Sequence, residues 1–169
     1  MRELIDGNKM IRTIRRISHE IIERNNDLSN LVFLGIMKKG VPLAKMIVEN
    51  IEKFENIKIP IYELDITGYR DDLEVNEFQK LDIDLTGKTV LVIDDVLFTG
   101  RTVRASMDAI IDLGRPEKIQ LAVLIDRGHR ELPIRADYVG NNIPTSLSEK
   151  ISVNFNENQG VYILNEEEK

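Results

Sequence analysis

The run Val90-Leu91-Val92-Ile93, followed at once by Asp94-Asp95, constrains this chain more than any other stretch. Four consecutive apolar residues, most of them β-branched, leave no polar face. The run therefore predicts a strand covered on both sides, as in a parallel sheet flanked by helices. Open α/β sheets bind ligands at the carboxyl ends of such strands, and two carboxylates stand there. Val96-Leu97-Phe98 then leads into Thr99-Gly100-Arg101-Thr102. Hydroxyls, a glycine and the free N–H groups of a starting helix have the composition of a phosphate cradle. The plainer alternative is an ordinary strand–loop–helix connection whose aspartates only cap.

The flanking segments carry the same alternation. Residues 31–36 (LVFLGI) read as the first core strand, and Val41-Pro42 opens an apolar-periodic helix to about Phe54, with proline suited to its first turn. Residues 57–66 predict a second strand, with Pro60 marking an edge or a bulge. After Thr102 a helix turns Val103, Met107, Ile110 and Ile111 inward and stops at Gly114-Arg115-Pro116. Residues 119–125 are a further buried strand, 139–146 a loop, and 151–155 with 160–164 a closing hairpin. Strands alternating with helices argue for βαβ units and an α/β fold with a mostly parallel sheet. With no repeat or linker, one domain is expected over 1–169.

Charge distribution is more informative than charge sum. The net charge of −6 argues against non-specific nucleic-acid binding, yet the cations gather in particular places. A first helix has Met10, Ile14, Ile17 and Ile21 on its apolar face, with Arg12, Arg15, Arg16 and His19 on or beside the opposite one. That stripe reads either as a solvated surface or as a contact face. The segment Asp126 to Tyr138 holds three arginines and the other histidine around Gly128 and Pro133. Met37-Lys38-Lys39-Gly40, between strand and helix, is either a second anion site or a basic turn with a helix cap. The polar stretch from Thr67 to about Gln79 reads as a mobile loop, serving as a lid or as a simple surface connection. Cysteine is absent, which excludes disulfides and thiolate metal sites. No apolar run approaches the roughly 20 residues of a membrane span, and the acidic N-terminus lacks a signal-peptide core; a cytoplasmic protein with no membrane partner is expected.

The stretch Val90 to Thr102 resembles the signature of the type I phosphoribosyltransferases, which bind phosphoribosyl pyrophosphate (PRPP). Asp126 to Asp137, Asn142-Ile143-Pro144-Thr145-Ser146, and Asp65-Ile66-Thr67 with Tyr69-Arg70-Asp71-Asp72 resemble a narrower family. This is PyrR, the bifunctional pyrimidine-operon attenuation regulators and uracil phosphoribosyltransferases. The similarity runs from about Ile11 to at least Lys150. It implies the type I phosphoribosyltransferase fold, a central mostly parallel sheet flanked by helices with a small hood.

By the same resemblance, Asp94 and Asp95 hold the ribose hydroxyls of PRPP or UMP, and Val96, Leu97, Phe98, Thr99, Gly100, Arg101 and Thr102 form the nucleotide site that binds its 5′-phosphate. Lys38, Lys39 and Gly40 face the pyrophosphate and Arg70 closes over it, so that Asp94, Asp95 and Arg70 form the catalytic set. Uracil plus PRPP would give UMP and pyrophosphate, with Mg²⁺ held mainly through PRPP oxygens. A second activity is implied: binding a hairpin of pyrimidine-operon leader mRNA under UMP or UTP control, to promote transcription termination. Arg15, Arg16, His19, His129, Arg130 and Arg135 match its RNA-binding surface, so that Arg130→Ala is expected to weaken RNA binding and spare turnover. A homodimer or higher homo-oligomer is implied as well. Against the family pattern, Lys38-Lys39 replaces Thr-Arg, Asn141 stands where lysine is common, Gly68 replaces a larger residue, and the loop after Asp72 is shorter. Two narrower readings stand beside this one: a phosphoribosyltransferase of base salvage alone, motivated by the intact PRPP stretch, and an RNA-binding regulator without turnover, motivated by the short loop.

Overall fold

The computed structural model describes residues 1–71 and 81–165. Its centre is a five-stranded parallel sheet in the order β3-β2-β4-β5-β6. The strands are β2 (Leu31–Ile36), β3 (Ile61–Leu64), β4 (Thr89–Leu97), β5 (Lys118–Asp126) and β6 (Tyr138–Asn142). Helices α1 (Gly7–Arg24) and α2 (Gly40–Glu55) cover one face, and α3 (Arg101–Ile111) covers the other. A second, antiparallel sheet joins β1 (Arg2–Asp6), β7 (Glu149–Asn154) and β8 (Gly160–Asn165) in the order β1-β8-β7.

The apolar run opened on is the middle of this arrangement. Val90 and Val92 face α3 while Leu91 and Ile93 face α1 and α2, and all four are at most 1% exposed. Each such burial contributes about 1.5–3 kcal/mol. Met10, Ile14, Ile17 and Ile21 are buried as the helical spacing requires, and Asp6 caps α1 by accepting from the Lys9 N–H at 2.8 Å. Pro60 precedes β3, which is an edge strand of only four residues, shorter than the ten expected.

Three expectations change, and one strand was not anticipated. Residues 2–6 form β1, which has no apolar alternation strong enough to reveal it and exists by pairing with β8. Residues 138–142 are the edge strand β6 rather than loop, because Tyr138 and Gly140 pack inward although Asn141 and Asn142 read as turn residues. Ile111 points outward, 63% exposed in the last turn of α3. Strand β4 does not end at the carboxylates but runs on to Leu97, held by β5 through Asp94–Val123, Val96–Ile125 and Leu97–Asp126.

Candidate nucleotide site

The order of the sheet makes the site. The chain leaves β2 outward to β3 and returns to β4 on the other side, so the strand order switches between β2 and β4, where α/β sheets open a crevice. Strand β2 pairs with β4 only as far as Gly35–Ile93 and then turns away at Met37. Asp94 and the residues after it are therefore bonded to β5 alone, and the gap on the other side is a cavity of about 440 Å³. Asp94, Asp95, Lys38, Lys39, Thr67, Arg70 and Thr102 are among its lining. The Met37–Lys38 peptide is cis.

A second cavity, of about 290 Å³, lies against Val96 to Val103. Arg70, Asp94 and Thr102 line both, so the two form one elongated site with these residues at its waist. Here the chain turns at Gly100, whose φ of +93° suits glycine, and α3 begins. Gly100 has no side chain to cap that helix start, so apart from the Arg101 N–H its first donors are left for a ligand anion. Thr99 Oγ1 accepts from the Arg101 N–H at 3.2 Å.

The paired aspartates are not equivalent. Burial, and then the adjacent Asp95 charge, push the Asp94 carboxyl well above the usual carboxylate range. Asp94 Oδ1 accepts the Asp95 N–H, and Asp95 Oδ1 accepts the Val96 N–H, each at 2.9 Å. Both side chains thus fold back on their own strand with oxygens left for a ribose or a cation.

The basic turn splits by residue. Lys38 makes no side-chain hydrogen bond or ion pair among the described residues and lines the larger cavity. Lys39 lines it too, but its Nζ donates to Val153 O at 3.0 Å, tying the turn to β7 of the small sheet. Gly40 stands behind the wall instead of in it: a Cβ there would collide with the Ile93 carbonyl oxygen. Its absence of a side chain lets α2 start directly on β4 and so sets the height of the turn.

Residues 65–71 are pinned beside the waist. Asp65 Oδ1 accepts from the Thr67 N–H at 3.0 Å, and Tyr69 Oη donates to Asp112 Oδ2 at 2.6 Å. That hydrogen bond raises the Tyr69 phenol to about 12. Asp71 pairs with Arg101 at 3.0 Å and Arg104 at 3.8 Å. The remainder of the expected lid, residues 72–80, lies outside the described residues.

The segment after β5 is stitched to the turn at Thr99. Thr99 O accepts from the N–H groups of Glu131 (2.9 Å) and Leu132 (3.3 Å), and Leu97 O accepts from Arg127 N at 3.0 Å. Arg130 donates to Phe98 O at 2.7 Å and Ile134 O at 2.9 Å, and forms a close ion pair with Asp126. Arg101 reaches Glu131 at 3.1 Å. His129, at φ +68°, hydrogen-bonds Thr145 O at 2.5 Å and meets Phe98 edge-on. Arg135 makes no hydrogen bond or ion pair among the described residues. Sequence reasoning passed over Arg127, which is 6% exposed. Its guanidinium stacks 4.0 Å from the Phe98 ring centroid and donates to Thr145 Oγ1, Ser146 O and Glu149 O. The signal available was position, directly after a buried strand.

On α1, Arg15 is exposed and makes no side-chain bond among the described residues. Arg16 donates to Gly140 O at 2.5 Å and pairs with Glu20. His19 stacks on Phe54 of α2, with ring centroids 4.3 Å apart. Asn141 keeps a buried Nδ2 with no hydrogen-bond partner among the described residues.

Comparison with known proteins agrees with this geometry. The family model for the phosphoribosyl transferase domain matches residues 2–158. The Bifunctional protein PyrR of Chloroflexus aurantiacus is 57% identical over 166 residues, which is 95% of this chain and 91% of that protein. The Pyrimidine operon regulatory protein of Lactococcus lactis subsp. lactis is 55% identical over 160 residues, covering 94% of this chain and 92% of its own. Among solved structures, the hypoxanthine phosphoribosyltransferase of Trypanosoma cruzi superposes with a TM-score of 0.75 over 98% of this chain and 97% of that one at 18% identity, a likeness of fold. With a switch-point crevice, paired aspartates and a glycine turn into a helix start beside them in one chain at this level of identity, the protein belongs to the PyrR family of type I phosphoribosyltransferases.

Proposed function

We propose that the protein transfers a phosphoribosyl group from PRPP to uracil and, with UMP bound, acts as an RNA-binding regulator of pyrimidine-operon transcription. The observation that carries the first part is the elongated site, whose two halves meet at Arg70, Asp94 and Thr102. A sugar bearing an anion at each end fits it. The N–H groups of residues 99–102 receive the 5′-phosphate, the turn at Lys38 the pyrophosphate, and Asp94 and Asp95 the ribose hydroxyls between them.

In the reaction a uracil ring nitrogen bonds to the anomeric carbon as the bond to pyrophosphate breaks, and the nitrogen loses its proton. Positive charge develops on the ribose while negative charge leaves with pyrophosphate. Asp94 and Asp95 stand against the first, and Lys38 and Arg70 against the second, in an arrangement fixed before reaction. Mg²⁺ fits the donor set as a substrate-borne ion. The aspartates offer hard oxygens, but among the described residues no group of three ligands forms a cage, so PRPP oxygens would supply most of its coordination. Bound there it would supply charge neutralisation to the pyrophosphate beside Lys38 and Arg70. Asp95→Asn is expected to lower turnover of uracil plus PRPP by about a hundredfold or more, on the scale of losing one preorganised electrostatic partner; a wild-type rate would remove Asp95 from the site.

For the second part the carrying observation is that Arg15 and Arg135 hold out guanidinium groups unused within the described residues. Arginine suits RNA phosphates and unstacked bases. A gel shift with a pyrimidine-leader hairpin, with and without UMP, tests it. UMP-strengthened retention is expected, and turnover without any retention would favour base salvage alone. Among the described residues no helix is long and apolar enough to cross a membrane, and we assign the protein to the cytoplasm as a homo-oligomer.

A further inference from the structure

Between the end of β5 and the edge strand β6 lies a third cavity, of about 760 Å³, which shares no lining residue with either half of the nucleotide site. Its volume is that of a small-molecule pocket. Leu132, Pro133, Ile134, Ala136 and Val139 give it aliphatic walls, while Arg135 and Asn142 are exposed where it meets solvent. Arg130 lines it too, but is engaged by Asp126, Phe98 O and Ile134 O. The guanidinium of Arg135 and the side-chain amide of Asn142 make no bonds among the described residues.

We infer that this pocket receives an unstacked nucleobase of the bound RNA, one that carries an exocyclic amino group. The inference rests on the RNA-binding reading above. Flat aliphatic walls accept the faces of a base, as RNA-binding proteins accept splayed bases. The Asn142 amide offers a donor and an acceptor to a base edge, and the Asp126 carboxylate offers acceptor capacity beyond Arg130 and the Gly128 N–H. Arg135 faces the adjoining phosphate. The position is also suited to sensing the nucleotide. A Cβ on Gly100 would lie 3.4 Å from Ile134 Cβ and 3.6 Å from Leu132 Cβ. The same two side chains wall the pocket, so the cradle and the pocket are separated by one layer of residues, and an occupant on either side braces it.

The test is a double-mutant cycle read by fluorescence anisotropy, with a pyrimidine-leader hairpin carrying single abasic sites, against wild type and Ala136→Phe, which fills the pocket. One abasic position is expected to cost wild type about tenfold in affinity, on the scale of one stacked base. Ala136→Phe is expected to cost the intact hairpin as much and to make that abasic site nearly free. Wild-type affinity in Ala136→Phe, or losses that multiply independently at every position, would overturn the pocket while leaving RNA binding standing. A wild-type protein that retains no hairpin overturns the RNA reading and this inference with it. Should circular dichroism show Ala136→Phe unfolded, the exposed Asn142→Ala decides: a smaller abasic penalty supports the site, and an unchanged one refutes it.

Discussion

Two arginine-bearing segments, helix α1 and the stretch from Asp126 to Arg135, look alike in composition and differ in what their guanidinium groups hold. On α1 the helix is already complete through its own backbone. Its arginines reach sideways at most, Arg16 to Gly140 O and Arg24 to Asp137 at 3.3 Å, or project outward as Arg15 does. The stretch after Asp126 has no regular structure of its own, and arginine supplies what a backbone ladder otherwise would. Arg127 and Arg130 together satisfy five carbonyl oxygens, of Ser146, Glu149, Phe98 and Ile134 from their side chains and of Leu97 through the Arg127 N–H. In one segment arginine decorates a scaffold. In the other, Arg127 and Arg130 are part of it.

The contrast predicts a graded series of substitutions. Arg127→Ala should have the largest effect on stability, about 3 kcal/mol, because it strips a buried cation from several acceptors at once. At this chain length that lowers Tm by about 6–12 °C, and a melt within about 2 °C of wild type would break the comparison. Arg130→Ala comes next, at about 2 kcal/mol, since Asp126 loses its ion pair and Phe98 O its donor. Released from Arg130, the cradle loop should lose turnover by roughly tenfold alongside RNA affinity. The contacts of Arg130 thus predict the opposite of the expectation from sequence that it separates the two activities. Unchanged turnover would restore it. Arg15→Ala should leave Tm and turnover alone, within about 0.5 kcal/mol of stability. It should weaken hairpin binding and reduce the salt dependence by about one phosphate contact; a lowered Tm would show that α1 leans on its exposed cations after all.

On the acid side, Asp94 is the counterpart of a buried arginine without its partners. Its folded-state pKa is raised by burial and then by Asp95, so the unfolded chain gives up this proton first. Stability therefore falls as pH rises from the unfolded value of about 3.8 through the folded one, and the full penalty applies above both. Asp94→Asn removes it. Melts across pH should show the variant gaining on wild type above about pH 4 and matching it below; parallel curves would contradict a desolvated Asp94.

Most of the central sheet was legible in sequence because burial leaves an apolar run or a period, as in Val90 to Ile93 and Met10 to Ile21. The same holds for the placement of the aspartate pair and the Thr99–Thr102 turn, which follow the apolar run of β4 directly and line the crevice at its end. Strand β1 was not legible, since it is an edge strand made by a partner distant in sequence, and β6 was not because Asn141 and Asn142 read as turn residues. Nor was the division of labour among arginines. Composition places Arg127, Arg130 and Arg135 in one segment, but only the fold decides which carbonyl lies within reach of each guanidinium. Gly40 shows the same limit: its place beside two lysines suggested a ligand contact, and its use is to let a helix approach a strand.

The grip of Arg16 on β6 reaches further than the fit of helix to sheet. Ile143 and Asp137 send their N–H groups inward to β5, so the carbonyl of Gly140 points away from the sheet, along its open edge. An open edge is a template on which another chain can add a strand, and folded proteins guard against it with charge. Arg16 is that guard, occupying the Gly140 oxygen with a cation. Removing it for the sake of an RNA-binding assay would also uncap the strand, and self-association of the variant would then be measured as lost affinity. Light scattering belongs beside any binding curve recorded for that position.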